Sequence, residues 1–575
     1  MKCLPYLVRP VLSLATLTLL ASLAKTHAAP EWQAIHHNIS GATGTKVPGL
    51  SGVDFQLGET LNVFDRMHVA PGGPMIFTAN TDDSGNPQTV VSEGKALLTE
   101  GDMLPFNSET VDIIDRTVRI NDDGLVTIVV DTDGPIALDS YILTGSVASG
   151  LSKAIQEGDS IDPPFPGDIH KGFLRSPVIT ADGTIGYLAE VFDLPSDNDR
   201  VIMLGTTLIA QERVTVPGGQ AGTETWEDFE IDDYHVSADG NHHILLGELT
   251  GAGSKFIVAV DGKIVLQDLT IIPGSGFGSP IASYTIGDVF MDAAGNWFAR
   301  GSNDDNTDWI VRNGKVIAAT GQPIVPGSSE LWEDASFALG FRTMSGNSRG
   351  DYIYGGFTDN VALLEREVLI FSDKFGNAQE VLRAGDPIDL DGNGMFDDNT
   401  TVKSFNGPIG ITDDRTIYAI VTVDNDGGPD GQAIITAQLD TKYGPDLTLG
   451  EKRPIREHKG NNRFGGALRI KTPRPKAKIF ITVGNDGDTA DGIYGSYRLN
   501  KQFKLKIKQL GAGNVTAQWK LGNHLQILQP NQLTIYKALL KRKGRDGKNK
   551  AVPKFRITSG NTGAPDLMKA KVKFE

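Results

Sequence analysis

One short figure, repeated seven times, limits what this chain can fold into: a polar turn followed at once by a strand of apolar and β-branched residues. The run Ile120-Asn121-Asp122-Asp123-Gly124-Leu125-Val126-Thr127-Ile128 carries it in full. Asn, Asp, Ser or Thr opens such a turn by bonding its own backbone, and Gly accepts the positive φ that the turn needs. Aligned on that glycine, six copies centre on Gly73, Gly124, Gly183, Gly240, Gly295 and Gly350, spaced 51, 59, 57, 55 and 55 residues apart. The seventh copy, Thr412 to Ala419, follows after 65 residues and has Arg415 where the glycine stands elsewhere.

A second feature closes several copies. Leu97 to Asp102 has counterparts in Ala154 to Asp159 and Val381 to Asp386, each ending in Gly-Asp. Hairpins such as Trp309 to Ile317, turning at Asn313-Gly314, precede these closings, so each period holds about four strands. Four-stranded units repeating at ~40–50 residues or more predict propeller blades. The expected fold is therefore all-β, a seven-bladed β-propeller over residues 51–445 followed by an immunoglobulin-like β-sandwich over 446–575. A β-solenoid is the runner-up, disfavoured because each long period contains its own hairpins.

Residues 1–28 read as a secretory signal peptide. Lys2 and Arg9 supply the positive start, Val11 to Ala24 the apolar stretch, and Thr26-His27-Ala28 the cleavage site. Residues 29–50 form an N-terminal segment ahead of the repeats. The expectation is an exported protein, secreted or periplasmic, with no transmembrane anchor and no intracellular nucleic-acid partner. Cys3, the only cysteine, lies in the leader, so a mature chain would have neither disulfides nor thiolate chemistry.

Charge divides the chain sharply. From residue 441 onward there are 29 Lys+Arg against 9 Asp+Glu, which leaves 25 against 62 of the totals 54 and 71 for residues 1–440. Such asymmetry marks two domains with different partners, or two halves that attract each other.

The turn pattern Asn-x-x-Gly-x-x-Ala-Phe with a Gly-Asp-x-x-Pro closing resembles the tandem repeat of exported bacterial proteins named for that consensus, across most of residues 54–440. Asn121 with Gly124 and Asn347 with Gly350 keep the opening without the Ala-Phe, and Gly101-Asp102 keeps its Pro105. The resemblance implies a secreted repeat protein and carries no activity. Farther on, the Thr-Val-x-Asn-Asp-Gly-x-x-Ala-Asp run from Thr482 and a strand at Val515-Thr516-Ala517 resemble immunoglobulin-like, adhesion-related domains of the CARDB type. Such domains are spacers or binding modules.

The sharpest local chemistry is Asp389 to Thr400. Asp389, Asp391, Asn393 and Asp397 stand at positions 1, 3, 5 and 9 of a wrapping Ca²⁺ loop, with Gly394 at 6 and the Met395 carbonyl at 7. Thr400 replaces the bidentate Glu at position 12, so Asp398 or a distant carboxylate would have to complete the shell. The expected role is structural, pinning an insertion in blade six; the alternative is a solvated acidic turn. A basic tract, Lys541, Arg542, Lys543, Arg545, Lys548 and Lys550, joins Lys501, Lys504, Lys506 and Lys508 as a candidate surface for an anionic polysaccharide or cell-envelope polymer. Its alternative is a solubilising loop.

Two further groups read as structural. Carboxylates recur near blade entrances, Trp226-Glu227-Asp228 with Asp232 and Asp233, and Trp332-Glu333-Asp334; the recurrence of Trp-Glu-Asp at similar positions favours a Trp packed between blades over acid–base catalysis. Strand alternation would place His242 and His243 on opposite faces, against a joint metal site, and His36-His37 is weaker still. His-Glu-x-x-His and a phosphate loop do not occur. The function expected is that of a non-enzymatic binding or scaffold protein, the competing reading a carbohydrate-active enzyme with acids gathered on one propeller face.

Overall fold

The computed structural model describes residues 30–574 apart from 40–44, 58–62, 173, 220–221, 252–255, 334–339, 363–364, 375, 406, 427, 440–444, 451–466, 474, 486–490, 500–501, 529–532, 543–548 and 560–564. The leader and cleavage site expected in residues 1–28 lie outside these residues. The chain is all-β and divided into many separate antiparallel sheets. Among the described residues no helix is long and apolar enough to cross a membrane.

Six sheets follow one another with four strands each, paired in chain order. Sheet one comprises Phe64–Val69, Met75–Asn80, Gln88–Ser92 and Lys95–Thr99. The first strands of sheets two to six are Val111–Ile120, Arg175–Ile179, Trp226–Val236, Asp288–Met291 and Phe341–Gly346. In sheet seven, Thr400–Ser404 and Ile409–Ile411 share the partner Thr416–Asn425, which pairs with Gly431–Gln438. Its outer strand comes from the other end of the chain: Gln33–His37 pairs antiparallel with Gly431–Gln438, Gln33 opposite Thr436.

The strands are apolar on both faces because each sheet is covered on both. In His243–Leu249 of sheet four, Ile244 and Leu246 pack toward sheet five, while Leu245 and Leu249 pack toward sheet three. A buried cluster joins every successive pair, and one further cluster sets Ile420 and Ile434 of sheet seven against Phe64 and Phe77 of sheet one. The first strands touch in the same order, and Ile409–Ile411 touches Phe64–Val69.

The opening turns repeat this succession in hydrogen bonds. Gly72 N–H donates to Asp122 Oδ1 (2.7 Å), Asn121 Nδ2 to the Thr180 carbonyl (3.0 Å) and Ala181 N–H to that of Ala238 (2.7 Å). Ala238 N–H donates to the Ala293 carbonyl (3.0 Å), Arg312 Nη2 to that of Gly350 (3.1 Å) and Asn347 Nδ2 to that of Thr412 (2.9 Å). Asp413 N–H then donates to the Pro71 carbonyl (2.7 Å), returning to the first turn. The Gly-Asp closings work locally: Asp102, Asp159 and Asp386 each accept a backbone N–H from three residues earlier, those of Thr99, Gln156 and Arg383.

Two more sheets form the C-terminal part. One contains Lys476–Asn485, Leu533–Arg542 and Phe503–Gln509; the other contains Asp491–Arg498, Lys554–Ser559 and Pro565–Phe574. They share a core that includes Ile479, Ile507, Ala538, Phe555 and Val572. The strand expected at Val515-Thr516-Ala517 is instead the start of a short helix, Thr516–Leu521, ended by Gly522 at φ +74°. Helical winding turns Trp519 into the core, against Gly495 and Tyr536.

Candidate functional site

The most elaborate polar site lies where the first strands of the seven sheets approach one another. The residue two positions before each turn opener faces this space: His68, Arg119, Val178, His235, Phe290, Ser345 and Gly410. On one side of that layer is a cavity of about 520 Å³, on the other a narrow space of about 80 Å³. His68, Arg119, His235 and Phe290 border both, so they form a floor between them.

Ion pairs make up the walls of the larger cavity. Arg66 Nη2 meets Asp232 Oδ2 at 3.1 Å, Thr117 Oγ1 donates to the same carboxylate, and Ser176 Oγ accepts the Asp232 N–H at 2.9 Å. A bulge between Phe229 and Tyr234 aims Asp232 into the space and holds it at φ +76°. Arg300 binds Asp288 and donates to the Phe341 carbonyl. Beside them, Asp233 accepts the Val289 N–H at 3.0 Å; burial, reinforced by Asp288, pushes its carboxyl well above the usual range.

The floor has a different electrostatic character. Burial lowers His68 to about 3, helped by Arg119, and lowers His235 well below the ordinary histidine range. Both rings are neutral at pH 7. Burial also lowers the Arg119 guanidinium to about 10, leaving it charged. Of this site the sequence points to Asp232 and Asp233 in the walls but not to the floor, although a signal is present: taking the column two residues before every turn opener collects the floor in one step.

The acidic loop comes together in part. Carboxylate oxygens of Asp389, Asp391 and Asp398 lie within 4.8 Å of one another, Asp398 being the residue expected to complete the shell, while Asp397 is exposed and outside this group. Asp389 accepts the Asn393 and Gly394 N–H groups, and Asn393 Oδ1 accepts that of Met395 (2.8 Å). The loop was expected to pin an insertion in the sixth unit. It lies instead between sheets six and seven and clasps the N-terminal strand, with Asp389 N–H on the Trp32 carbonyl (3.0 Å) and Ala34 N–H on the Asp389 carbonyl (2.8 Å). Three convergent carboxylates are a donor set that fits a hard divalent cation.

Of the basic tract, Lys543, Arg545 and Lys548 lie outside the described residues. Lys541 and Lys550 are exposed on different sheets, Lys550 paired with Lys573, and Arg542 stands opposite buried Phe503, half-buried on the core side. The lysines that do assemble are on the outer face of Lys476–Asn485, Leu533–Arg542 and Phe503–Gln509. Lys476, Lys541 and Lys504 lie in line across three strands, Lys537 is opposite Lys508, and Lys478 and Lys506 flank Leu539. These three strands contain no Asp or Glu.

Trp226 is buried between sheets three and four and Trp332 between five and six, as their recurrence suggested. Their acidic neighbours are ion-paired: Glu227 with Arg213 (3.0 Å), Asp228 with Arg200 (2.5 Å) and Glu333 with Arg366 (3.0 Å). His242 and His243 do not point apart. The strand begins only at His243, so alternation does not reach back to His242, and both rings turn to Asp261, at 2.9 and 3.9 Å. His36 packs on Phe55 and Phe77, and burial lowers it to about 4.

No protein-family model and no curated protein matches the chain. Solved structures share only distant likeness. A protein assigned as TolB from Agrobacterium tumefaciens is 10% identical, over 66% of this chain and 91% of that one, at a TM-score of 0.23. The N-terminal domain of PorA is 11% identical over 23% and 98%, at 0.16. The N-terminal domain of an adhesin from Streptococcus gordonii is 8% identical over 83% and 94%, at 0.14. Scores this low carry no argument about fold or function.

Proposed function

We propose that this chain is an exported, non-enzymatic binding or scaffold protein: a seven-bladed β-propeller joined to a basic immunoglobulin-like sandwich that attaches to an anionic polysaccharide or cell-envelope polymer. Support for the propeller comes from the seven sheets whose buried clusters, first strands and turn hydrogen bonds all return to their start. The resemblance to exported repeat proteins and the leader-like first 28 residues support the cellular location. Within this reading the acidic loop is a structural Ca²⁺ site, held by Asp389, Asp391 and Asp398.

The observation that carries attachment is the lysine face. Like charges directly opposite on neighbouring strands destabilise a sheet, and here three stand in line with no carboxylate on those strands. A bound polyanion turns that repulsion into attraction and releases counterions, so binding must weaken as salt rises. Ion pairs occupy Asp232, Asp288, Glu227, Asp228 and Glu333, which favours binding over a role for these five carboxylates in glycosidic hydrolysis.

The full chain is passed over immobilised alginate and heparin across a salt series. Wild type is expected to elute at elevated salt, and the Lys476→Gln, Lys504→Gln, Lys541→Gln triple variant near physiological salt. Equal retention of the two would place the attachment elsewhere.

A further inference from the structure

We propose that the cavity between the first strands is a binding site for a carboxylated sugar, with the acid group on Arg119 at its floor and the hydroxyls on the ion-paired walls.

The acid group follows from the floor. Arg66 and Arg300 face the same cavity but are held by Asp232 and Asp288. Arg119 differs: the hydrogen bond described for its guanidinium is Nη1 to the Val118 carbonyl (3.0 Å), on its own strand. The side chain is partly buried and lines the cavity; its own layer contains no carboxylate, and the two that act on it, Asp232 and Asp233, lie in the walls. A guanidinium presents several N–H groups in a fork that matches a carboxylate.

The flanking imidazoles reinforce that choice. Ile120 N–H donates to His68 Nδ1 at 3.2 Å, so the neutral ring carries its proton on Nε2 and offers a donor. The lining sets Arg66, Arg119, Arg300 and Arg342 against Asp65, Asp232, Asp288 and an Asp233 carboxyl that burial favours as neutral, an excess of one positive charge that matches one carboxylate. A phosphate dianion would find too little positive charge here.

The hydroxyls follow from the walls. A hydroxyl both donates and accepts, and the Arg66–Asp232 and Arg300–Asp288 pairs set donors beside acceptors on two sides. Phe290, half-exposed and packed on His235 at 5.5 Å between ring centroids, adds an apolar edge for the sugar's C–H groups. The volume, about 520 Å³, lies in the range of small-molecule sites and suits one or two sugar rings. The floor separates this cavity from the narrow space behind it.

Full-length protein is titrated with D-glucuronic acid and, separately, D-glucose, by calorimetry and by NMR of the labelled histidine rings. Glucuronate is expected to bind at least tenfold more tightly than glucose and to shift the His68 and His235 signals while leaving His524 unmoved. Arg119→Gln should bring glucuronate down to the level of glucose. Equal binding of the two sugars, unchanged glucuronate binding in the variant, or no shift at His68 and His235 in wild type would each overturn the proposal. The ring signals are read on wild type, so that arm stands even where Arg119→Gln does not fold.

Discussion

Arg415 and Asp351 form a buried ion pair between two turns of the repeat, Nε to Oδ2 at 2.7 Å, with side-chain exposures of 2% and 3%. Arg415 occupies the position that is glycine in the other six turns, and it adopts the same left-handed backbone, at φ +69°. Its guanidinium also lies over the Phe371 ring, 4.9 Å from the centroid, and Asp351 accepts the Lys374 N–H at 3.1 Å. In place of the glycine, a side chain that strains the turn ties sheet seven to sheet six.

Arg415→Gly relieves the backbone yet strands the Asp351 carboxylate in the interior. The expected cost is about 3–5 kcal/mol, because removing one partner leaves an uncompensated buried charge. Adding Asp351→Asn should recover part of it. Denaturant unfolding of both variants checks this, and a stabilised single variant would refute the role given to the pair.

The outer strand of sheet seven is held by Trp32, buried at 2% exposure with Nε1 donating to the Val381 carbonyl at 2.9 Å. Trp32→Ala should cost about 3–5 kcal/mol through the cavity left behind. Amide exchange should rise first in Gln33–His37 and its partner Gly431–Gln438. Exchange that rises instead in sheets two to four would contradict the placement.

Asp292 opens the fifth turn, 1% exposed, and burial raises its carboxyl to about 6. The folded protein therefore holds a proton that the unfolded chain releases. The stabilisation is complete below the usual carboxylate range and is lost as pH climbs through about 6, by at most about 3 kcal/mol. Asp292→Asn, the residue found at the openings of turns two and six, should flatten the stability profile between about pH 4 and 6. An unaltered slope in the variant would mean that another group titrates.

If Asp389, Asp391 and Asp398 hold Ca²⁺, the ion stabilises the clasp on the N-terminal strand by about 2.7 kcal/mol at a free concentration one hundred times its Kd. Tm should rise with added Ca²⁺, fall with chelator and become insensitive to both in Asp391→Asn. A wild-type Tm indifferent to Ca²⁺ would reduce the loop to an acidic turn.

Much of the architecture was legible along the chain because its signals are local. An opening residue such as Asn121 bonds N–H groups two and four positions on, and Asp102 bonds one three positions back, so spacing alone reveals the units. The strand at Val515 failed because that segment answers to the pocket for Trp519, set by Gly495 and Tyr536. Arg542 failed for a related reason, since its face depends on register against Phe503.

The sequence by itself determined the all-β character, the seven turn-and-strand units and the division of charge, since turn chemistry, strand periodicity and composition act within a few residues. Tertiary structure alone decided which residues meet across the units. Gln33 pairs with Thr436, Arg415 with Asp351, and His68, Arg119 and His235 share one floor. Those contacts join segments tens to hundreds of residues apart, and only the packing of sheet on sheet fixes their distance.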